Sequence, residues 1–143
     1  KRLNAALQDG TALETFARVV SEQGGNPAVC DDLSLLPQPV ARHEVRAAAA
    51  GTVRRVATRE MGLLSIEIGC GRARKEDVVD PASGFRVLRK TGDVVAAGEP
   101  LLVVELGPNT ALPEGYLGRV RDCFEIGDAT GAEAPLPFVV EKL

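Results

Sequence analysis

Residue types that bind anions or react as nucleophiles are concentrated in one short stretch of this sequence. It combines two glycines and a thiol with three cations: Gly69, Cys70, Gly71, Arg72, Arg74 and Lys75. A glycine turn releases backbone amides, and neighbouring cations make such a turn favourable for an anion. The stretch lacks the third glycine of a dinucleotide-binding loop and the Gly-Lys-Ser/Thr of a P-loop. Two interpretations follow. It is either an anion-binding loop or a structural hinge whose cations are solvated or paired with the acidic residues Glu76, Asp77 and Asp80.

Cys70 is the candidate nucleophile of the stretch. Its three basic neighbours predict a lowered thiol pKa and raised reactivity. A thiol nucleophile also needs a base, and the single histidine, His43, falls in a predicted strand far away in sequence. We therefore expect His43 to be a surface or strand-edge residue and predict no Cys-His or Ser-His-Asp catalytic group.

The cysteines indicate neither a metal site nor a disulfide framework. Cys30, Cys70 and Cys123 are odd in number and far apart, which excludes a Cys-x-x-Cys metal site and favours free thiols in a cytosolic protein. With one histidine beside them, no metal is expected. The composition points to no cofactor.

Composition limits the partners of the chain. With 143 residues, 45% of them apolar, it is long enough for one ordinary domain, or a small domain with an appendage, without disulfides. A net charge of −3, four Phe, one Tyr and no Trp give nucleic acid little to bind. No apolar run approaches the ~20 residues that span a bilayer. No signal peptide follows Lys1, and the lack of an initiator Met predicts a fragment or a processed chain.

The first 40 residues have helical patterns. A helix is predicted from Arg2 to Leu7, with Gly10 as its stop. A second helix is predicted from Thr11, with Glu14 completing a capping box, and ends at Gly24-Gly25. Because neither helix can bury its apolar face alone, the pair predicts a partner surface upstream.

A short turn and a linker follow the helices. Asn26-Pro27 is predicted to cap a turn that runs through Cys30. Residues Leu35 to Pro39 predict an extended linker, because each proline forces its predecessor out of the helical region.

From about residue 41 the pattern changes to short strands. Four are predicted, with a turn between Val94 and Leu101: His43–Ala48, Thr52–Val56, Phe85–Leu88 and Leu101–Leu106. The last is a nearly continuous apolar run and should be buried on both faces. Periodicity leaves Met61–Ile68 open, as either a strand or a helix capped at Thr58. Further on, the chain predicts an amphipathic helix through Leu117, Val120 and Phe124 and a strand at Phe138-Val139-Val140.

The order of these motifs resembles the C-terminal region of the thymidine and pyrimidine-nucleoside phosphorylases. The matching segments are Asp9–Phe16, Gln23–Pro27, Ala50–Val53, Gly62, Gly69–Arg72 with Lys75–Asp77 and Asp80, Gly84 and Lys90–Leu101. The resemblance implies an α+β fold. Residues 41–143 would form an α/β-hammerhead, barrel-sandwich-like C-terminal domain. Residues 1–40 would be the helical tail of an α/β catalytic domain plus a linker, and Met61–Ile68 would be a helix.

The resemblance also implies a function for the parent enzyme. In that family phosphate attacks C1′ of a pyrimidine nucleoside and gives the free base and a pentose 1-phosphate. The groups that hold phosphate and base would lie upstream of Lys1, so no catalytic or substrate-binding residue is expected here. The glycine loop, named here by Gly69, Cys70, Gly71, Arg72 and Lys75, would lie toward the interdomain interface and help to hold the closed form.

The implied partners follow from the same resemblance. They are the remainder of the parent phosphorylase and a second copy, joined through a missing helical domain. The parent would use phosphate and a pyrimidine nucleoside, would be cytoplasmic, and would need no cofactor, metal, nucleic acid or membrane.

Two alternatives stay open at the level of sequence. Gly92-Asp93-Val94 followed by Gly98 and Leu101 also occurs in biotinyl and lipoyl carrier domains, which expose a modified lysine at a hairpin tip. Here the single methionine, Met61, has no lysine beside it, but a non-catalytic barrel-sandwich binding or carrier module is the competing class. The third possibility is the tail of an AMP phosphorylase.

Overall fold

The computed structural model describes residues 2–128, which divide into two compact units between Gln38 and Pro39. The first unit is helical and the second combines helices with two small antiparallel sheets. The chain is therefore an α+β protein, as the sequence predicts.

Two predicted helices form the first unit. Helix α1 spans Arg2–Gln8 and helix α2 spans Thr11–Glu22. None of their residues is buried, and large apolar side chains such as Leu3 (82% exposed) and Phe16 (57% exposed) face outward. Within this unit the apolar stripes therefore lack a covering surface, and the predicted partner surface upstream stays a prediction.

The start of α2 differs from the predicted capping box. Asp9 Oδ1 accepts hydrogen bonds from the Thr11 amide (3.0 Å) and the Thr11 hydroxyl (2.7 Å). Gly10 takes the N-cap position, with φ of 87° and no side-chain cap. Thr11 is already the first helical residue, so its hydroxyl donates backwards to Asp9 and caps nothing. The capping-box prediction is wrong by one position.

The end of α2 and the short turns agree with the sequence. The Gly25 amide bonds to Val20 O and the Gly24 amide to Ser21 O, both at 2.9 Å, which is the Schellman pattern. Gly24 has a φ of 78°, so its lack of a side chain is needed here. Asn26 then caps a 3₁₀ turn over Pro27–Cys30 by accepting from the Ala28 amide (3.1 Å).

The predicted linker is shorter than expected. A second 3₁₀ turn spans Leu33–Leu35 and includes the first residue of the predicted linker. Asp32 caps this turn by accepting a hydrogen bond from the Ser34 amide (2.9 Å). Extended backbone begins at Leu36.

Two three-stranded antiparallel sheets organise the second unit. Their six strands are β1 Ala41–Arg46, β2 Gly51–Val56, β3 Gly84–Val87, β4 Val94–Val95, β5 Pro100–Leu106 and β6 Phe124–Gly127. One sheet has the order β1-β5-β3 and the other β4-β2-β6. All four predicted strands are present within about two residues of their predicted bounds.

Strand β5 is the central strand of its sheet. It pairs with β1 from Ala41 opposite Leu106, and with β3 from Gly84 opposite Glu105. Leu101, Leu102 and Val104 are fully buried, as the continuous apolar run predicts.

Residues Met61–Ile68, which periodicity left open, are helical except for the last: helix α3 spans Thr58–Glu67. It buries Met61 and Leu64, and Ile68 follows it into the core. The predicted cap at Thr58 is wrong: Ala57 is the N-cap residue and no side chain bonds to the helix start.

The last described elements are helix α4, Tyr116–Arg121, and strand β6. Leu117 and Val120 lie in the helix as predicted, but Phe124 does not. The chain leaves the helix at Asp122, and Phe124 pairs with Val56 of β2 while its side chain enters the core. The predicted strand at residues 138–140 lies outside the described residues.

Tyr116 joins α4 to α3 inside the core. Its side chain is 1% exposed, and its hydroxyl donates to the carbonyl oxygen of Leu64 at 2.6 Å. Burial raises the pKa of the phenol above its ordinary value of 10, because the charged phenolate is poorly solvated there.

Tyr116→Phe should lower the free energy of unfolding near neutral pH by about 1–2 kcal/mol, because one buried hydrogen bond is lost. A raised native pKa also means that the unfolded chain deprotonates first. The phenol's contribution is therefore complete below pH ~10 and is lost as pH rises above it.

Urea denaturation of wild type and variant on either side of that pH measures both effects. The difference in free energy of unfolding between the two proteins should shrink in alkali. Titration of the cysteines affects both proteins equally, because both contain them. Since Tyr116 is the only tyrosine, phenolate absorbance titrates it directly. A titration midpoint at or below the ordinary value would contradict the assignment.

Candidate functional site

The glycine loop begins where α3 ends. Gly69 has a φ of 83°, and its amide bonds to Ile66 O at 3.0 Å. The Cys70 amide bonds to Ser65 O at 3.0 Å, so both residues close the helix terminus. The first glycine is therefore needed for the left-handed turn that redirects the chain out of α3.

The second glycine has a different environment. A Cβ on Gly71 would lie 3.1 Å from Cγ1 of Ile66, a side chain of the same helix. Gly71 has no positive φ, so what limits substitution there is space against Ile66.

The loop binds one of its own carboxylates. Asp77 Oδ2 accepts hydrogen bonds from the amides of Ala73 (3.0 Å) and Arg74 (2.8 Å). These are amides that an external anion would need. The geometry therefore favours the hinge interpretation over an anion cradle.

The cations of the loop point to solvent. Arg72, Arg74 and Lys75 are exposed, and within residues 2–128 none of them forms an ion pair. Asp77 and Asp80 instead accept hydrogen bonds from backbone amides. Val78, further along the loop, is an apolar residue that is 89% exposed.

The thiol pKa of Cys70 is shifted in the opposite direction to the one that its sequence neighbours predict. The thiol is half-buried, and burial together with the charge of Asp80 raises its pKa above the ordinary value. The prediction of a lowered pKa is wrong because burial of the thiol, and after it the charge of Asp80, ten residues away in sequence, both raise the pKa. His43 lies half-buried on the edge strand β1, as expected, and no described hydrogen bond joins it to Cys70.

Asp80 is the centre of a hydrogen-bond network that the sequence does not reveal. Its amide donates to Gly69 O (2.8 Å), which joins the two ends of the loop. Its Oδ1 accepts from the Ala82 amide (2.9 Å) and its Oδ2 from the Thr110 hydroxyl (3.1 Å). Within residues 2–128 no cation lies within ion-pair distance of this carboxylate.

The network continues to the end of β5. The Gly107 amide donates to Ser83 Oγ (2.9 Å), and the Ser83 hydroxyl donates to Thr110 Oγ1 (3.3 Å). A Cβ on Gly107 would lie only 2.2 Å from Asp80 Oδ2. Any side chain at this position would displace the carboxylate. This tight contact explains the glycine at position 107, and the sequence around that position gives no sign of it.

The carrier motif forms tight turns in this structure. Gly92 and Gly98 both have positive φ, at 95° and 78°, as tight turns require. Met61, the single methionine, is buried in α3, away from any hairpin tip. The motif therefore reports turn geometry here.

No group of three or more metal-ligating side chains lies within residues 2–128. Over that range no helix has the length and hydrophobicity needed to cross a bilayer.

Comparison with known proteins matches these features to one family. Residues 52–105 match the model of the pyrimidine nucleoside phosphorylase C-terminal domain. The chain is 36% identical over 142 residues to a pyrimidine-nucleoside phosphorylase of Bacillus subtilis (strain 168), covering 99% of the chain and 31% of the relative.

Two further relatives agree. A pyrimidine-nucleoside phosphorylase of Staphylococcus haemolyticus (strain JCSC1435) is 33% identical, with 99% and 31% of the two chains covered. A thymidine phosphorylase of Agrobacterium fabrum (strain C58 / ATCC 33970) is 36% identical, with 87% and 28% covered. The chain therefore spans about a third of the length of these relatives.

Asp80→Asn should make Cys70 more reactive. The substitution keeps the shape of the side chain but removes the charge that helps to raise the thiol pKa. Burial remains the larger cause, so the pKa should fall only part of the way to its ordinary value. In the wild type, alkylation of Cys70 should be slower than alkylation of a small free thiol. In the variant it should be faster than in the wild type.

Peptide mapping after timed iodoacetamide treatment over a range of pH measures the alkylation rate of each cysteine separately. Cys30 in the same sample serves as the internal control for reagent exposure. A midpoint for Cys70 that is identical in wild type and Asp80→Asn would exclude a charge effect of Asp80.

Proposed function

The chain belongs to the pyrimidine-nucleoside phosphorylase family and corresponds to its C-terminal portion, and we propose that it supports a parent enzyme that cleaves pyrimidine nucleosides with phosphate. That reaction yields the free base and a pentose 1-phosphate and is a pentosyl transfer. In this proposal the chain contributes structure and domain closure, while the catalytic and substrate-binding groups lie in the rest of the parent.

The observation that carries the proposal is the family match along nearly the whole chain. It spans 99% of this chain but only 31% of the relative from Bacillus subtilis. The described residues contain no group of three or more side chains that could hold a metal ion. A supporting role fits a chain whose second unit has a well-packed core.

The helical unit fits the end of a larger domain. Helices α1 and α2 expose an apolar stripe that contains Leu7, Leu13 and Val19, and none of their residues is buried. Exposed apolar surface of this kind marks a contact with another surface. We assign residues 1–40 to the tail of the α/β catalytic domain plus a linker, with the remainder of the parent as the covering partner.

The second unit fits the C-terminal domain. Its two antiparallel sheets share one core with α3 and α4. We assign residues 41–143 to an α/β-hammerhead of the barrel-sandwich type.

The glycine loop is proposed to act in closure. Gly69 and Gly71 shape its exit from α3, Cys70 packs half-buried beneath it, and Arg72 and Lys75 are exposed. Exposed cations and the exposed Val78 together form a surface suited to meeting another part of the parent. The proposal also includes a cytoplasmic homodimer that forms through the parent's helical domain and needs no cofactor.

Phosphate-dependent release of thymine and uracil from their nucleosides tests the function. The full-length parent should release both bases only when phosphate is present, and this chain alone should release neither. Product analysis should detect a pentose 1-phosphate in amounts equal to the base.

Other outcomes point elsewhere. Release of adenine from AMP, without release of thymine or uracil, would identify the AMP phosphorylase. Inactivity on every substrate, with a covalent mass increment on a lysine, would favour the carrier module.

Gly71→Val in the parent tests the loop. The larger side chain has to push against Ile66 of α3, since even a Cβ would lie 3.1 Å from it. We expect kcat/KM for the nucleoside to fall about tenfold or more, the equivalent of at least ~1.4 kcal/mol.

Gly62→Ala is the matched control, because a Cβ there would meet nothing within 4 Å. It lies in α3 and should leave the kinetics unchanged. Wild-type kinetics in the Gly71→Val enzyme would exclude a role for the loop in closure.

A further inference from the structure

We propose that Asp80 is the positioning residue of the glycine loop, acting through a one-way chain of hydrogen bonds from the end of β5. The inference rests on the proposed function where it concerns catalysis, but the positioning itself is a property of this chain.

The hydrogen bonds run in a single direction. The Gly107 amide donates to Ser83, the Ser83 hydroxyl to Thr110, and the Thr110 hydroxyl to Asp80 Oδ2. Each hydroxyl accepts one hydrogen bond and donates the next, so every bond polarises its neighbour. The chain ends on a carboxylate, which makes its last bond charge-assisted and the strongest.

The carboxylate is enclosed as well as bonded. Its other oxygen accepts from the Ala82 amide at 2.9 Å, and Gly107 lies against it too closely for any Cβ. Gly69 is also near: a Cβ there would lie 3.3 Å from Asp80 Cβ and 3.4 Å from Thr110 Oγ1. The side chain of Asp80 is therefore fixed from several directions.

This arrangement closes the base of a loop. Because the Asp80 amide bonds to Gly69 O at 2.8 Å, residues 70–79 form a loop whose two ends meet. Compact surface loops with joined ends are frequently functional. The loop carries Arg72, Arg74 and Lys75 on an exposed surface, so the position of Asp80 decides where three cations lie.

The strand that starts the hydrogen-bond chain is rigid. β5 is buried and paired on both sides, and Gly107 follows it directly. The core thus holds Gly107 in place, and the hydrogen bonds through the hydroxyls of Ser83 and Thr110 fix Asp80 relative to Gly107. An effect of Thr110 on loop position should not require any contact between Thr110 and substrate.

Trypsin reports the loop directly, because its three cations are cleavage sites. Cleavage of a folded chain needs local opening of the segment, so its rate follows the population of the open loop. Thr110→Val removes the charge-assisted bond and should raise cleavage after Arg72, Arg74 and Lys75 about tenfold or more. Thr110→Ser keeps the hydroxyl and should be cleaved at the wild-type rate.

Two controls separate local opening from general unfolding. Cleavage after Arg121, at the exposed end of α4, should be unchanged in every variant. Thr91→Val makes the same chemical change at a half-exposed threonine whose hydroxyl has no described hydrogen bond, and it should behave as wild type.

Ser83→Ala provides a second route if Thr110→Val does not fold. It breaks the hydrogen-bond chain one step earlier and should accelerate loop cleavage in the same way. Wild-type cleavage of the loop in a folded Thr110→Val or Ser83→Ala chain would overturn the proposal. Equal acceleration at Arg121 would overturn it too, because the effect would then be global.

The catalytic consequence is measured in the full-length parent. Thr110→Val should lower kcat about tenfold with little change in KM for the nucleoside, and Thr110→Ser should restore it. If the wild-type parent shows no phosphorolysis, the proposed function fails while the trypsin result still decides the positioning. If the parent is active and Thr110→Val keeps its full kcat, the hydrogen-bond chain that ends at Asp80 has no catalytic role.

Discussion

Burial of strand β5 is the constraint on which the rest of the second unit depends. Leu101, Leu102 and Val104 are each 0% exposed, and the strand is hydrogen-bonded on both edges. Each fully buried side chain of this size contributes about 1.5–3 kcal/mol. With few aromatics in the sequence and no disulfide among the described cysteines, the core depends mainly on the burial of such aliphatic side chains.

The fixed strand also determines where polar groups can be placed with precision. At its exposed side, Glu105 pairs with Arg42 and Arg86 across the sheet, and such solvent-facing pairs contribute little. At its end, Gly107 starts the hydrogen-bond chain that reaches Asp80. There the groups are partly buried and each depends on the next, so their geometry matters more than their number.

The two units divide the work that a supporting domain would do. The helical unit buries none of its helical residues, whereas the second unit has a continuous core. The exposed apolar side chains of α1 and α2 indicate contact with another surface, and the packed core of the second unit can hold the glycine loop in a fixed position. This division is what the proposed supporting role within a parent phosphorylase requires.

The sequence by itself determined the features that depend on neighbouring residues. Gly24-Gly25 ends α2, Asn26-Pro27 caps a turn, and the apolar run of β5 is buried, because each follows from local backbone preference or composition. The family could also be identified, from the order of short motifs along the chain.

Only the tertiary structure decided what depends on distant residues. Sequence placed Phe124 in a helix, but pairing with β2 moves it into a strand. The cations beside Cys70 suggested a reactive thiol, but burial and Asp80 raise its pKa instead. Gly107 and Thr110 carried no local signal at all, since their importance arises when the fold brings them against a carboxylate 27 and 30 residues away.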